Sequence, residues 1–179
     1  MQAKMIAGHE LTPGKTVKDH IHVEGTELHV PHVLLCGEQP GPTVLITAGI
    51  HNAEYVGIQA AIELSNELDV SMLHGNVVLV PLVNRSGFEN RTMSRVFEDG
   101  KNLNRVFPGD REGSEAERLA HMLFEVFIRN ADAYIDLHCG DGYETLIPYC
   151  YYLGDAPADG RVRECNVCCA LALPHGRGL

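Results

Sequence analysis

Thr43-Val44-Leu45-Ile46-Thr47-Ala48-Gly49-Ile50-His51-Asn52-Ala53-Glu54 is the stretch on which the reading of this chain turns. Its first half is a short, near-continuous apolar run, the pattern of a strand buried on both faces. Its second half breaks at Gly49 and delivers a histidine and a glutamate three positions apart. A helical pattern follows at once over residues 55–69, with Ile58, Ala61, Ile62 and Leu68 on one face. Residues 76–81 then read as another buried strand. This is a β-loop-α-β unit, and its loop leaves the strand at the edge where open α/β sheets place their sites.

Upstream, residues 16–23 and 27–36 read as strands, and residues 38–42 as a turn into the central run. Downstream, residues 84–111 carry no sustained periodicity and are rich in Asn, Arg, Gly and Asp. A loop of that length in a compact domain is expected to line a site. Ser114 with Glu117 three residues on makes a capping box, and a helix to about Asn130 follows it. Residues 133–137 form a short strand ending at His138, and residues 145–153 a further strand. Residues 155–160 read as a turn. The spacing of Val162, Cys165, Cys168, Cys169 and Ala172 predicts a last helix over 161–173.

Together these elements predict an α/β fold: a three-layer αβα sandwich around a mixed, mostly parallel sheet. Residues 43–48, 76–81 and 133–137 are expected as neighbouring interior strands. One domain over 1–179 accounts for the whole length. The chain stops just after the last expected helix, where such a sheet would continue, so a C-terminal truncation is expected.

Fourteen basic against 24 acidic side chains give a net charge of -10, which opposes binding to nucleic acid phosphates. The first ten residues lack the apolar core of a secretory signal, and no stretch approaches the roughly 20 apolar residues of a membrane span. A cytoplasmic location is the expectation. Six cysteines in a chain without a signal peptide predict free thiols. Cys165-x-x-Cys168 has no second cysteine pair to complete a metal site, so burial in the core is the favoured reading.

Catalytic zinc is held by about three nitrogen or oxygen donors with one position left open. His51, Glu54 and His138 meet that need, since each lies at a predicted strand end. Taken alone, a His and a Glu three apart also suit helix capping, and a single distant His suits a structural role. Within the long loop, Asn102-Leu103-Asn104-Arg105-Val106-Phe107-Pro108-Gly109 offers a guanidinium fork suited to a carboxylate, or else an arginine paired with Asp99 or Asp110. Asp136, two residues before His138 on its strand, is a candidate for orienting a ligand, or a strand-end cap.

In order, Gly49-Ile50-His51-x-x-Glu54, then Asn102-Leu103-Asn104-Arg105-x-Phe107-Pro108-Gly109, then Asp136-Leu137-His138 resembles the zinc carboxypeptidase superfamily. The likeness is to its succinylglutamate desuccinylase and aspartoacylase branch, and it runs over residues 43–152. The resemblance implies a zinc-dependent amide hydrolase of N-acyl amino acids or of C-terminal peptide bonds, with deacylation preferred from the branch. His51, Glu54 and His138 would bind zinc, and Asn104 and Arg105 would hold a free carboxylate on a small-molecule substrate. An upstream arginine would polarise the scissile carbonyl; Arg95 matches better by its closeness to the motif, and Arg91 is the other candidate.

Two departures stand out. Asn52-Ala53 replaces the usual pair between the metal His and Glu, and the downstream region that supplies the family's general-base glutamate has no counterpart here. Glu144, just beyond Cys139-Gly140-Asp141-Gly142, is a conceivable local acid, with a solvated turn residue the favoured reading. This form is therefore expected to bind zinc and to hydrolyse amides poorly, and a non-catalytic module that binds zinc and carboxylate is the alternative.

Overall fold

The computed structural model describes residues 4–147, 149–152 and 163–168. Strands β1 (Met5–Ile6) and β2 (His9–Glu10) form a small hairpin. The remaining strands build one seven-stranded sheet: β3 (Thr16–His22), β4 (His29–Cys36), β5 (Gln39–Ala48), β6 (His74–Val80), β7 (Ala133–His138), β8 (Tyr149–Tyr152) and β9 (Arg163–Cys168). The spatial order is β3-β4-β6-β5-β7-β9-β8. The interior pairs β6-β5, β5-β7 and β7-β9 are parallel, and an antiparallel pairing closes each flank. The three expected interior strands are thus adjacent, with β5 at their centre.

Period-2 alternation divides this sheet between two helical layers. Leu34, Cys36, Leu45, Val78 and Val80 face one core cluster with Leu119, Leu123 and Phe127. Val33, Leu35, Ile46, Ala48 and Leu79 face the other, with Ile58 and Ala61. The first layer is the helix α3 (Glu115–Met122), which runs on as a wider turn over Leu123–Phe127 and a tight one over Ile128–Asn130. The second is α1 (Tyr55–Glu67). The capping box read at Ser114 forms: Ser114 N–H and its hydroxyl both donate to Glu117 Oε2 at 2.9 Å.

Four expectations are corrected. Residues 163–168 form β9, a strand paired in parallel with β7, and not part of a helix. Arg163-Glu164-Cys165-Asn166-Val167-Cys168 is too short for periodicity to separate helix from strand, and the open edge of β7 supplies the ladder partner that decides it. Residues 153–162 and 169–179, and with them the expected turn, the rest of the helix and the chain end, lie outside the described residues. Of the strand expected over 145–153, Tyr149–Tyr152 forms. The expected turn at 38–42 is mostly strand: β5 begins at Gln39, paired with His74, and its register shifts before Thr43. Cys36 is a free thiol as expected and the Cys139 thiol donates to the Gly140 carbonyl, but Cys150 is disulfide-bonded.

The long loop is more structured than its composition suggests. It contains a short helix, α2 (Arg85–Asn90), and a 3₁₀ turn over Leu103–Arg105. Among the described residues no helix is long and apolar enough to cross a membrane.

Candidate metal centre

Each of the three donors is set by the end of an interior strand. β5 runs out at Ala48, and Gly49 turns the chain with φ of +69°, a left-handed conformation open to glycine. A Cβ there would stand only 3.0 to 3.2 Å from Leu82 and Ile58 side-chain carbons. This tight exit brings His51 over the sheet edge and Glu54 to the start of α1. His138 is the last residue of the neighbouring parallel strand β7, so it ends at the same edge.

One ligand atom from each of His51, Glu54 and His138 lies within 4.8 Å of the others. Glu54 stands between the imidazoles: its Oε1 is 2.8 Å from His51 Nδ1, and its Oε2 is 2.9 Å from His138 Nδ1. The Cys139 amide also donates to Oε2 at 2.9 Å. Burial alone would penalise the charged carboxylate, but the hydrogen bonds from His138, from His51 and from the Cys139 amide outweigh it and hold Glu54 at about 2. Burial likewise disfavours a charged His138, yet the carboxylates of Asp136 and Glu54 overcome it and raise its pKa to about 10.

Both histidines turn the same ring nitrogen inward and anchor the other. His138 Nε2 donates to Asp136 Oδ2 at 2.7 Å, while Thr47 Oγ1 donates to Asp136 Oδ1 at 2.6 Å. The Tyr134 hydroxyl lies 3.0 Å from Thr47 Oγ1. His51 Nε2 lies 3.1 Å from Asn102 Oδ1. Two imidazoles with engaged outer nitrogens and inward Nδ1 atoms, beside an ionised carboxylate, form a donor set that fits a zinc ion with a supporting shell.

The loop residues are held in place around this centre. Buried Asn84 caps α2 through the Gly87 amide and donates to Asn52 Oδ1 at 3.0 Å, and the Ala53 amide donates to the Met93 carbonyl at 2.9 Å. The residues between the metal His and Glu are thereby tied to the long loop. Asn104 and Arg105 sit on the 3₁₀ turn. Arg105 is exposed and its Nη1 donates to the Asn104 carbonyl at 3.1 Å. The acids considered as its partners are occupied elsewhere: Asp99 accepts from the Lys101 and Ala116 amides, and Asp110 from the Glu112 amide. Arg95, also exposed, donates to the Gly100 carbonyl at 2.8 Å. Arg91 is the left-handed cap of α2, with φ of +56°. Glu144 is exposed in the turn after Gly140.

Asp136 was legible as an orienting residue from its alternation with His138. Thr47, Tyr134, Asn52, Asn84 and the side-chain role of Asn102 were not, because each acts through a partner dozens of residues away. Thr47→Val keeps the side chain's shape but removes the donor to buried Asp136. It is expected to cost about 1–3 kcal/mol, read as a lower urea midpoint at unchanged slope.

A two-histidine, one-glutamate donor set that could hold a metal ion thus stands at the carboxyl ends of parallel strands, inside an αβα sandwich. The succinylglutamate desuccinylase/aspartoacylase catalytic domain model matches residues 40–174, and the chain belongs to this family. It is 39% identical over 127 residues to the N-alpha-acetyl-L-2,4-diaminobutyric acid deacetylase of Halomonas elongata, covering 69% of this chain and 36% of that protein. An aspartoacylase family protein from Mesorhizobium loti superposes with a TM-score of 0.65 at 34% identity, over 72% of this chain and 41% of that one. A succinylglutamate desuccinylase/aspartoacylase from Rhodobacter sphaeroides gives a TM-score of 0.70 at 26% identity, over 79% and 51%. The chain thus spans between about a third and a half of the length of these relatives.

Proposed function

We propose that the chain forms the zinc- and carboxylate-binding part of an amide hydrolase acting on N-acyl amino acids. The observation that carries this reading is the convergence of His51, Glu54 and His138, with the outer nitrogen of each imidazole already engaged. A zinc ion held by these three would supply Lewis-acid polarisation of the acyl carbonyl. Arg105, with no acidic partner among the described residues, would take the free carboxylate in bidentate fashion beside Asn104, and Arg95 would stabilise the developing oxyanion. Deacylation is favoured over removal of a C-terminal residue because the Halomonas relative is named as a deacetylase of an N-acetyl amino acid. The proton-transfer group has no assignment among the described residues, since Glu144 is exposed in a turn.

The test loads the purified chain with zinc and supplies N-acetyl amino acids alongside the same compounds with the carboxyl amidated. Zinc-dependent binding that prefers the free acids over the amidated compounds and is weakened by His51→Ala supports the reading, with acetate release expected to be slow because no proton-transfer group is assigned. Arg105→Ala should weaken binding of the free acids by about ten- to a hundredfold, the worth of a charge-assisted hydrogen-bond pair. Failure to bind zinc, or turnover indifferent to His51→Ala, would sink it; stoichiometric zinc without turnover would leave the binding module.

Zinc uptake should also release protons. His138 keeps its proton up to about pH 10 in the ion-free protein, and a histidine must lose that proton to serve as a ligand. Apparent affinity is therefore expected to rise about tenfold per pH unit between roughly pH 6 and 9. Calorimetry in buffers of different ionisation enthalpy would count about one proton per ion; pH-independent affinity would contradict the assignment.

A further inference from the structure

From the environment of Asn102, we infer that this residue is a positioning residue that couples the metal ligand His51 to the turn carrying Asn104 and Arg105. The inference rests on the metal-site reading above. Asn102 caps the 3₁₀ turn, and its Oδ1 accepts from the Asn104 amide at 2.9 Å. The same oxygen lies 3.1 Å from His51 Nε2. A backbone N–H can only donate, so the shared atom is an acceptor, and Nε2 must be the donor toward it. With Nε2 engaged by Asn102, Nδ1, which lies 2.8 Å from Glu54 Oε1, is the ring nitrogen left to face the centre.

The backbone of Asn102 carries a further link, an antiparallel bridge to Arg95. One residue therefore joins a ligand of the metal, the turn assigned to the substrate carboxylate and the strand segment assigned to the oxyanion. An asparagine suits the post for a specific reason. One carbonyl oxygen has two lone pairs, which serve two donors at once without adding charge beside the centre. Leucine has nearly the same shape and neither lone pair; aspartate keeps the acceptor.

The consequence is reciprocal: an ion that fixes the His51 ring also stiffens the Asn104 amide, and loss of the shared oxygen loosens both. The experiment compares the wild-type chain with Asn102→Leu and Asn102→Asp, using zinc alone as the probe. Chelator competition measures affinity, and ¹H–¹⁵N spectra follow the His51 ring nitrogens and the Asn104 amide. Asn102→Leu should weaken zinc about ten- to a hundredfold, the usual effect of removing a partner of a metal-bound histidine. It should also lose the Nε2–H signal and abolish the zinc-induced shift of the Asn104 amide. Asn102→Asp should restore the Nε2–H signal and most of the affinity, which a merely space-filling role would not predict. Unchanged zinc affinity in Asn102→Leu, or a wild-type Asn104 amide indifferent to zinc, would overturn the coupling. If the wild-type chain takes up no zinc while its Nε2–H signal is present and lost in Asn102→Leu, the metal reading fails and the anchoring of His51 by Asn102 stands.

Discussion

His138→Ala should lower zinc affinity by about a thousandfold and leave the fold intact. Structural zinc sites with four ligands owe on the order of 10–16 kcal/mol to the ion, so by that scale one nitrogen donor is worth roughly 4 kcal/mol, and each 1.4 kcal/mol is a factor of ten. The loss is compounded because Glu54 is held in place by His138 Nδ1 as well as by His51. Removing the ring also takes a partner from buried Asp136, whose Oδ2 it engages at 2.7 Å. Circular dichroism should nevertheless show a folded protein, because both core clusters are built from other residues. Retention of stoichiometric zinc at ordinary affinity in this variant would remove His138 from the ligand set.

Gly109→Ala should be among the most destabilising single changes outside the core. Gly109 adopts φ of +86°, and its amide donates to the Val106 carbonyl at 2.8 Å, closing the turn that follows Arg105. A Cβ at this position would lie 2.3 Å from both the Glu117 carbonyl oxygen and the His121 nitrogen. Both obstacles are backbone of α3, which cannot swing aside as a side chain could. Left-handed backbone for a residue with a Cβ costs about 1–2 kcal/mol, and overpacking adds roughly 1–3 kcal/mol. A fall in Tm of roughly 10 °C is the expected outcome by calorimetry, at about 2–4 °C per kcal/mol for a chain of this size. A Tm within 2 °C or so of the wild type would show that the turn and helix can separate at little cost.

How much of this was legible depended on how far each signal reached along the chain. Residues 43–48 announce a doubly covered strand by composition alone, and the structure places β5 between β6 and β7. His51, Glu54 and His138 could be brought together because each follows directly from an interior strand. Helical spacing misread the six residues Arg163–Cys168, where the deciding fact is pairing with β7, some 30 residues earlier. Cys165 and Cys168 fit a helical spacing as well as they fit a strand, and ladder hydrogen bonds broke the tie. Asn102 was visible within a motif, but its bond to His51 spans 51 residues and depends on how the long loop folds back. Asn52 reads as a mild departure between two ligands, whereas its amide oxygen receives buried Asn84 from 32 residues downstream.

Glu54 and His138 meet across a sequence separation of 84 residues. No short peptide from this protein can reproduce that encounter, so the donor set exists only once the central strands have paired. An ion bound there would discriminate sharply between folded and unfolded molecules. By mass action, zinc at a hundred times its dissociation constant would add about 2.7 kcal/mol to the unfolding free energy. Metal supply would then govern the lifetime of the protein as well as its chemistry, with chelation acting as a slow form of denaturation.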